Sequence, residues 1–157
     1  MLMLNDADEV CIILYDSDFP DYYINQEHPE DYKLMREPVL DYIYHAKKYH
    51  NRLLLRISFK IDNDLFVPIT FVCDTGAPGS LYLSEKAREQ IEDARILKDR
   101  DLGIEYIKLS TTKKKIQIDD PPSNHKNINI MGLMALSRFG LNVDYESFDF
   151  KNLPDYL

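Results

Sequence analysis

The feature that most constrains this chain is a change of period at Leu53. Leu53, Leu55, Ile57, Phe59 and Ile61 alternate with Leu54, Arg56, Ser58 and Lys60. A period of two marks a half-buried strand, apolar on one face and polar on the other. Asp62-Asn63-Asp64 is turn chemistry. Leu65 to Cys73 then reads as a second strand, with Pro68 tolerated only at an edge or a bulge because it has no N–H to give to a ladder. The two strands form a hairpin, and the hairpin delivers the chain to Asp74.

Residues 1–50 read as an N-terminal extension and residues 51–157 as the main domain. In the extension, Val10-Cys11-Ile12-Ile13-Leu14 is a continuous apolar run, so Glu9 to Tyr15 is expected to be a short buried strand. Asp16 to Glu37 is rich in Asp, Pro and Tyr and is expected to be an ordered loop or a wrapping arm. Pro38 to Tyr49 reads as a helix, with Pro38 in the first turn and Leu40, Ile43 and Ala46 at helical spacing. The extension is expected to pack on the main domain or to flank it.

Beyond the hairpin, Ser80 to Leu83 reads as a short strand. Ser84 is placed to cap a helix of about three turns carrying Ala87, Ile91 and Ala94 on one face. Ile104 to Leu109 and Lys115 to Ile118 are expected to pair around Ser110 to Lys114. Asn127 to Met131 reads as a strand ending at Gly132, and Leu133 to Phe139 as a short helix. Leu141 to Phe150 reads as a terminal strand with a break near Ser147. The fold class is therefore mainly β with one or two peripheral helices.

Composition excludes several functions. With 157 residues, 45% of them hydrophobic, the chain can bury a core. A formal net charge of -8 argues against a general binder of nucleic acid or of anionic membranes, since both need basic surface. The apolar runs are too short for a membrane-spanning helix. The start, Met1 to Glu9, has neither the basic nor the apolar region of a secretory signal. Cys11 and Cys73 are too few for a disulfide framework, so an intracellular, cytoplasmic setting is expected.

The sharpest chemical feature is Phe71-Val72-Cys73-Asp74-Thr75-Gly76-Ala77. An apolar strand anchors a carboxylate on a loop, and Gly76 lets the backbone approach a ligand or a second chain closely. Thr75 adds a hydroxyl that can lock the loop. The plainer reading is that Asp74 only closes a turn with Thr75 and Gly76. A second segment, Asn129-Ile130-Met131-Gly132 followed by Leu133, Leu136 and Phe139, places two apolar residues and a glycine before a short helix. Together the hairpin, the Asp-Thr-Gly-Ala loop and the Ile-Met-Gly segment resemble the retropepsin-like, or retroviral-type, aspartic proteases over about Leu53 to Phe150.

That resemblance implies a single-lobe acid-protease β-barrel, with Gly132 packing beneath the active-site loop as its structural support. It implies an aspartic endopeptidase in which two carboxylates share one proton and activate a water. The chain carries one Asp-Thr-Gly loop, so the resemblance implies a homodimer with Asp74 from each subunit. Thr75 would cross-link the two loops and Gly76 would lie against a polypeptide substrate. Ala77, on the substrate side, cannot donate a hydrogen bond to the aspartate as a serine could, and a mildly acidic optimum is expected. No cofactor, metal, nucleic acid or membrane is implied.

The chain also departs from the family pattern. The turn at Ser110 to Lys114 lacks the glycines of a flap, leaving Leu102-Gly103-Ile104 as the candidate for a short one. Leu133-Met134 stands where retroviral enzymes carry an Arg-Asp pair. A catalytically inactive peptide-binding or assembly protein of the same fold is the alternative. A third class is a structural subunit whose Tyr- and Asp-rich arm contacts a partner. Among other residues, Cys73 reads as packing. His28, His45, His50 and His125 have no metal-ligand spacing. Lys113-Lys114-Lys115 reads as a solvated hairpin tip, and Asp119 and Asp120 as partners for those lysines or as strand caps.

Overall fold

The computed structural model describes residues 31–44, 53–96, 106–108, 115–121, 126–144 and 147–157. The expected strand at Glu9 to Tyr15, the four histidines, Gly103 and the turn at Ser110 to Lys114 lie outside the described residues.

The described chain is mainly β. Its strands are β1 (Leu40–Tyr44), β2 (Leu53–Asp62), β3 (Leu65–Cys73), β4 (Leu81–Tyr82), β5 (Tyr106–Lys108), β6 (Lys115–Asp119), β7 (Ile130–Met131), β8 (Leu141–Val143) and β9 (Phe148–Phe150). Two helices, α1 (Glu85–Ile96) and α2 (Leu133–Phe139), complete it. The main sheet runs β1-β2-β3-β7-β4-β6, with β5 pairing onto β6. Among the described residues the sheet is open: β1 and β5 stand at opposite ends, so the expected closed barrel is not formed.

The β2–β3 hairpin forms as its period demands. Leu55, Ile57, Phe59, Val67, Ile69 and Phe71 are all essentially inaccessible and sit in one core with Leu81, Ile91, Met131, Leu136 and Phe139. Burying a side chain of this size contributes about 1.5–3 kcal/mol, so this face dominates the stability of the sheet. Pro68 lies opposite Ser58, and its carbonyl faces away from β2 to accept the Tyr32 N–H at 2.9 Å. Its missing N–H therefore costs the β2 ladder nothing, although β3 lies inside the sheet and Pro68 is at neither an edge nor a bulge.

Three expectations are corrected. Pro38 to Tyr49 is not a helix where it is described: Leu40 to Tyr44 is strand β1, antiparallel to β2. Tyr42, Ile43 and Tyr44 are β-formers, and the open edge of β2 supplies hydrogen-bond partners that an isolated turn of helix lacks. The segment from Leu141 is not one broken strand but a hairpin, β8 against β9. Finally, β2 is buried on both faces, because Arg56 and Ser58 are covered as fully as the apolar positions between them. Tyr42 stacks on Phe150 and meets Phe148 edge-on, which seats the β8–β9 hairpin against β1.

The cover over the Arg56 face comes from residues 31–36, the described end of the expected arm. Met35 and Phe66 exchange backbone hydrogen bonds, and the Thr70 N–H donates to Asp31 Oδ2 at 3.0 Å. Asp31 Oδ1 lies 3.1 Å from Arg56 Nε, with both side chains more than nine-tenths buried. Burial pulls the Arg56 guanidinium below its ordinary value, yet the carboxylate beside it supplies the neutralising charge that makes such burial tolerable.

Helix α1 begins as its sequence predicts, with Ser84 Oγ accepting the Ala87 N–H at 3.1 Å. Helix α2 ends at Gly140, whose φ of 70° belongs to the left-handed region that glycine occupies without strain.

Candidate active site

The candidate site is built where β3 ends beside β7. The strands run parallel, with Val72 opposite Ile130 and Cys73 opposite Met131. Asp74 continues the pairing by donating its N–H to Met131 O at 2.9 Å. The chain then turns sharply. The Gly76 N–H donates to Asp74 Oδ1 at 2.8 Å, and the Ala77 N–H to Asp74 O at 3.2 Å. The carboxylate is therefore held from below by its own loop and keeps its second oxygen free of that turn. Asp74 is half-buried, while Thr75 and Gly76 are exposed.

The loop closes over Gly132. The Gly132 N–H donates to Ser80 O at 2.8 Å, the Leu133 N–H to Ala77 O at 2.7 Å and the Met134 N–H to Gly79 O at 3.2 Å. Three of the four donors left over at the start of α2 are thus satisfied by loop carbonyls. A methyl group on Gly132 would collide with Gly79 O and lie 2.8 Å from Ala77 O, so glycine is required by close approach. Gly79 is held from the other side, its N–H donating to the Tyr82 hydroxyl at 2.7 Å.

Sequence reasoning placed Asp74, Thr75, Gly76, Ala77 and Gly132 together, and the fold brings all five into this one clasp. Cys73 is free and buried, and burial pushes its thiol up to about 12. A thiol held neutral in this way is packing rather than a nucleophile. Asp120 pairs with Arg88 at 3.0 Å and Asp119 accepts from Gln117 Nε2, while the expected lysine partners Lys113 and Lys114 lie outside the described residues. No group of His, Cys, Asp and Glu suited to a metal ion occurs among the described residues, and no described helix is long and apolar enough to cross a membrane.

The sequence reading missed Asn129. It is 2% exposed, and its side-chain oxygen, side-chain nitrogen and backbone carbonyl are all bonded. Its Oδ1 accepts the Ser84 N–H at 2.8 Å, its Nδ2 donates to the Tyr32 hydroxyl at 2.8 Å, and its carbonyl accepts the Val72 N–H at 2.8 Å. The signal was present: one amide within the apolar run Ile128-Asn129-Ile130-Met131 must find partners if the run is buried. Comparison with protein-family models, with curated proteins and with solved structures finds no match to this chain.

Proposed function

We propose that this chain is one half of a retropepsin-like aspartic endopeptidase that acts as a homodimer on polypeptides. The observation that carries the reading is the clasp itself: a carboxylate fixed by the Gly76 N–H, on a loop locked over Gly132 at the meeting of β3 and β7. An ordinary surface turn needs no such foundation. The energy spent on ordering the loop is explained if Asp74 must meet a second carboxylate with little freedom.

In the proposed assembly the two Asp74 side chains face one water. Two carboxylates at that separation cannot both ionise, so they hold one proton between them. The ionised partner takes a proton from the water, and the protonated one polarises the scissile carbonyl. The tetrahedral intermediate collapses as the carboxyl that took the water's proton passes it to the amide nitrogen and the C–N bond breaks, without an acyl-enzyme.

The surface beside the loop suits a second copy. Thr75, Pro78, Leu133 and Met134 are exposed, and none is charged. Two chains of net charge -8 repel at long range, and an uncharged patch lets them meet without burying unpaired charge. Leu133 and Met134 would then replace with apolar contact the charge pair found at that place in retroviral enzymes.

Asp74→Asn tests the reading. It keeps an oxygen for the Gly76 N–H but removes the acid and the base, so hydrolysis of an unfolded protein substrate should vanish while the fold persists. Light scattering should report about twice the 18.5 kDa chain. Undiminished cleavage by folded Asp74→Asn removes Asp74 from the reaction. A wild-type dimer that binds peptide without turnover supports the alternative of a catalytically inactive peptide-binding protein.

A further inference from the structure

Tyr32 has a φ of 66°, the one positive value on a non-glycine residue among those described. A bulky side chain in the left-handed region is a genuine outlier, and it persists only where its surroundings over-determine it. Here they do. The Tyr32 N–H is bonded to Pro68 O at 2.9 Å, and Asp31 immediately before it is anchored by Thr70 and Arg56. The residue is 9% exposed, and Lys86 Nζ stands 5.1 Å from its ring centroid. The hydroxyl receives the Asn129 Nδ2 hydrogen bond.

We propose that Tyr32 is a positioning residue for the Asp74 loop, acting through Asn129. The physical path is short. Tyr32 fixes the side-chain amide of Asn129, and the backbone carbonyl of the same residue takes the Val72 N–H. The next two residues are β7, and the Met131 carbonyl takes the Asp74 N–H. Because β7 has only two residues, it has little ladder of its own to set its position. The side chain of Asn129 supplies that fixation from the start of α1 on one side and from the arm on the other. Packing alone does not explain the arrangement, because phenylalanine would fill the same space and an apolar residue at 129 would suit a buried strand better. The strained backbone aims a hydroxyl, and the hydroxyl holds an amide. Only the activity arm of the test rests on the peptidase reading.

The decisive measurement is amide hydrogen exchange on the full chain carrying Tyr32→Phe. Protection at Val72 and Asp74 is expected to fall about tenfold, the consequence of one lost buried hydrogen bond. Protection at Leu141 and Phe150 in the β8–β9 hairpin should stay unchanged. In an Asn129→Ser background, whose side chain is too short to reach Tyr32, adding Tyr32→Phe should have no further effect. If the wild type cleaves polypeptide, Tyr32→Phe should lower kcat and leave KM unchanged. Unaltered protection at Val72 and Asp74 overturns the inference, whatever the cleavage assay gives. A uniform loss throughout the sheet assigns Tyr32 a merely structural role and overturns it as well. A wild type without hydrolytic activity refutes the peptidase reading alone, because exchange still decides the role of Tyr32.

Discussion

Two aspartates in this fold are held in opposite ways. Asp31 and Asp74 each accept a backbone N–H, from Thr70 and from Gly76. Asp31 is also buried against a guanidinium and has no access to solvent chemistry. Asp74 has no cation beside it in that turn, is half-exposed, and sits on a loop whose supports are backbone groups. The first arrangement spends a carboxylate on holding the sheet together. The second spends the sheet on holding a carboxylate. That difference separates a structural acid from a candidate catalytic one, although both are simply Asp in the sequence.

The contrast can be broken from either side. The largest effect is expected at the structural acid. Arg56→Met leaves Asp31 buried without its counter-charge and should lower unfolding free energy by about 3–5 kcal/mol in denaturant titration. Replacing Asp31 and Arg56 together with apolar residues should recover part of that loss. At the other site the weak point is the foundation rather than the acid: Gly132→Ala forces a methyl against two carbonyls and should cost about 1–3 kcal/mol.

Cys73, between the two sites, provides a pH test. Its folded-state value is raised from 9.0 to about 12, so between those limits the unfolded chain binds fewer protons than the folded one. Stability is then full below about 9 and falls as pH rises toward about 12, with a slope approaching about 1.4 kcal/mol per pH unit. Cys73→Val should remove that part of the alkaline slope, and a Cys73 thiol that reacts readily with alkylating reagents at pH 8 in a Cys11→Ser variant would contradict the burial. Ser84→Ala should cost about 1 kcal/mol through the lost α1 cap. The smallest change is expected at the candidate catalytic acid, where Asp74→Asn should shift stability by no more than about 0.5 kcal/mol while ending any hydrolysis.

Legibility in the sequence followed the range of the interactions. The β2–β3 hairpin, the Ser84 cap, α2 and the Asp74 turn are each set by residues close along the chain, and each was readable. Gly132 was legible through a resemblance that supplied its distant partner. Asp31 was not, since Arg56 and Thr70 are far along the chain and one acid among many in residues 16–37 carries no local mark. The error at β1 has the same origin. Leu40, Ile43 and Ala46 satisfy a helical spacing, and only the unpaired edge of β2 decides against it. The sheet's second covered face was hidden likewise, because Arg56 and Ser58 look solvent-facing until an arm is laid over them.

The order in which the clasp can form follows from β7. The Asp74 amide finds its acceptor on Met131, and the loop finds its floor on Gly132, both of which leave the ribosome long after the hairpin that presents Asp74. The hairpin can close locally while the chain is still growing, whereas contacts between distant segments wait on loop closure. A nascent chain stopped before Asn129 therefore carries Asp74 on an unsupported strand end. The carboxylate therefore acquires its fixed direction at a late step of folding, once β7 has been made and has paired with β3.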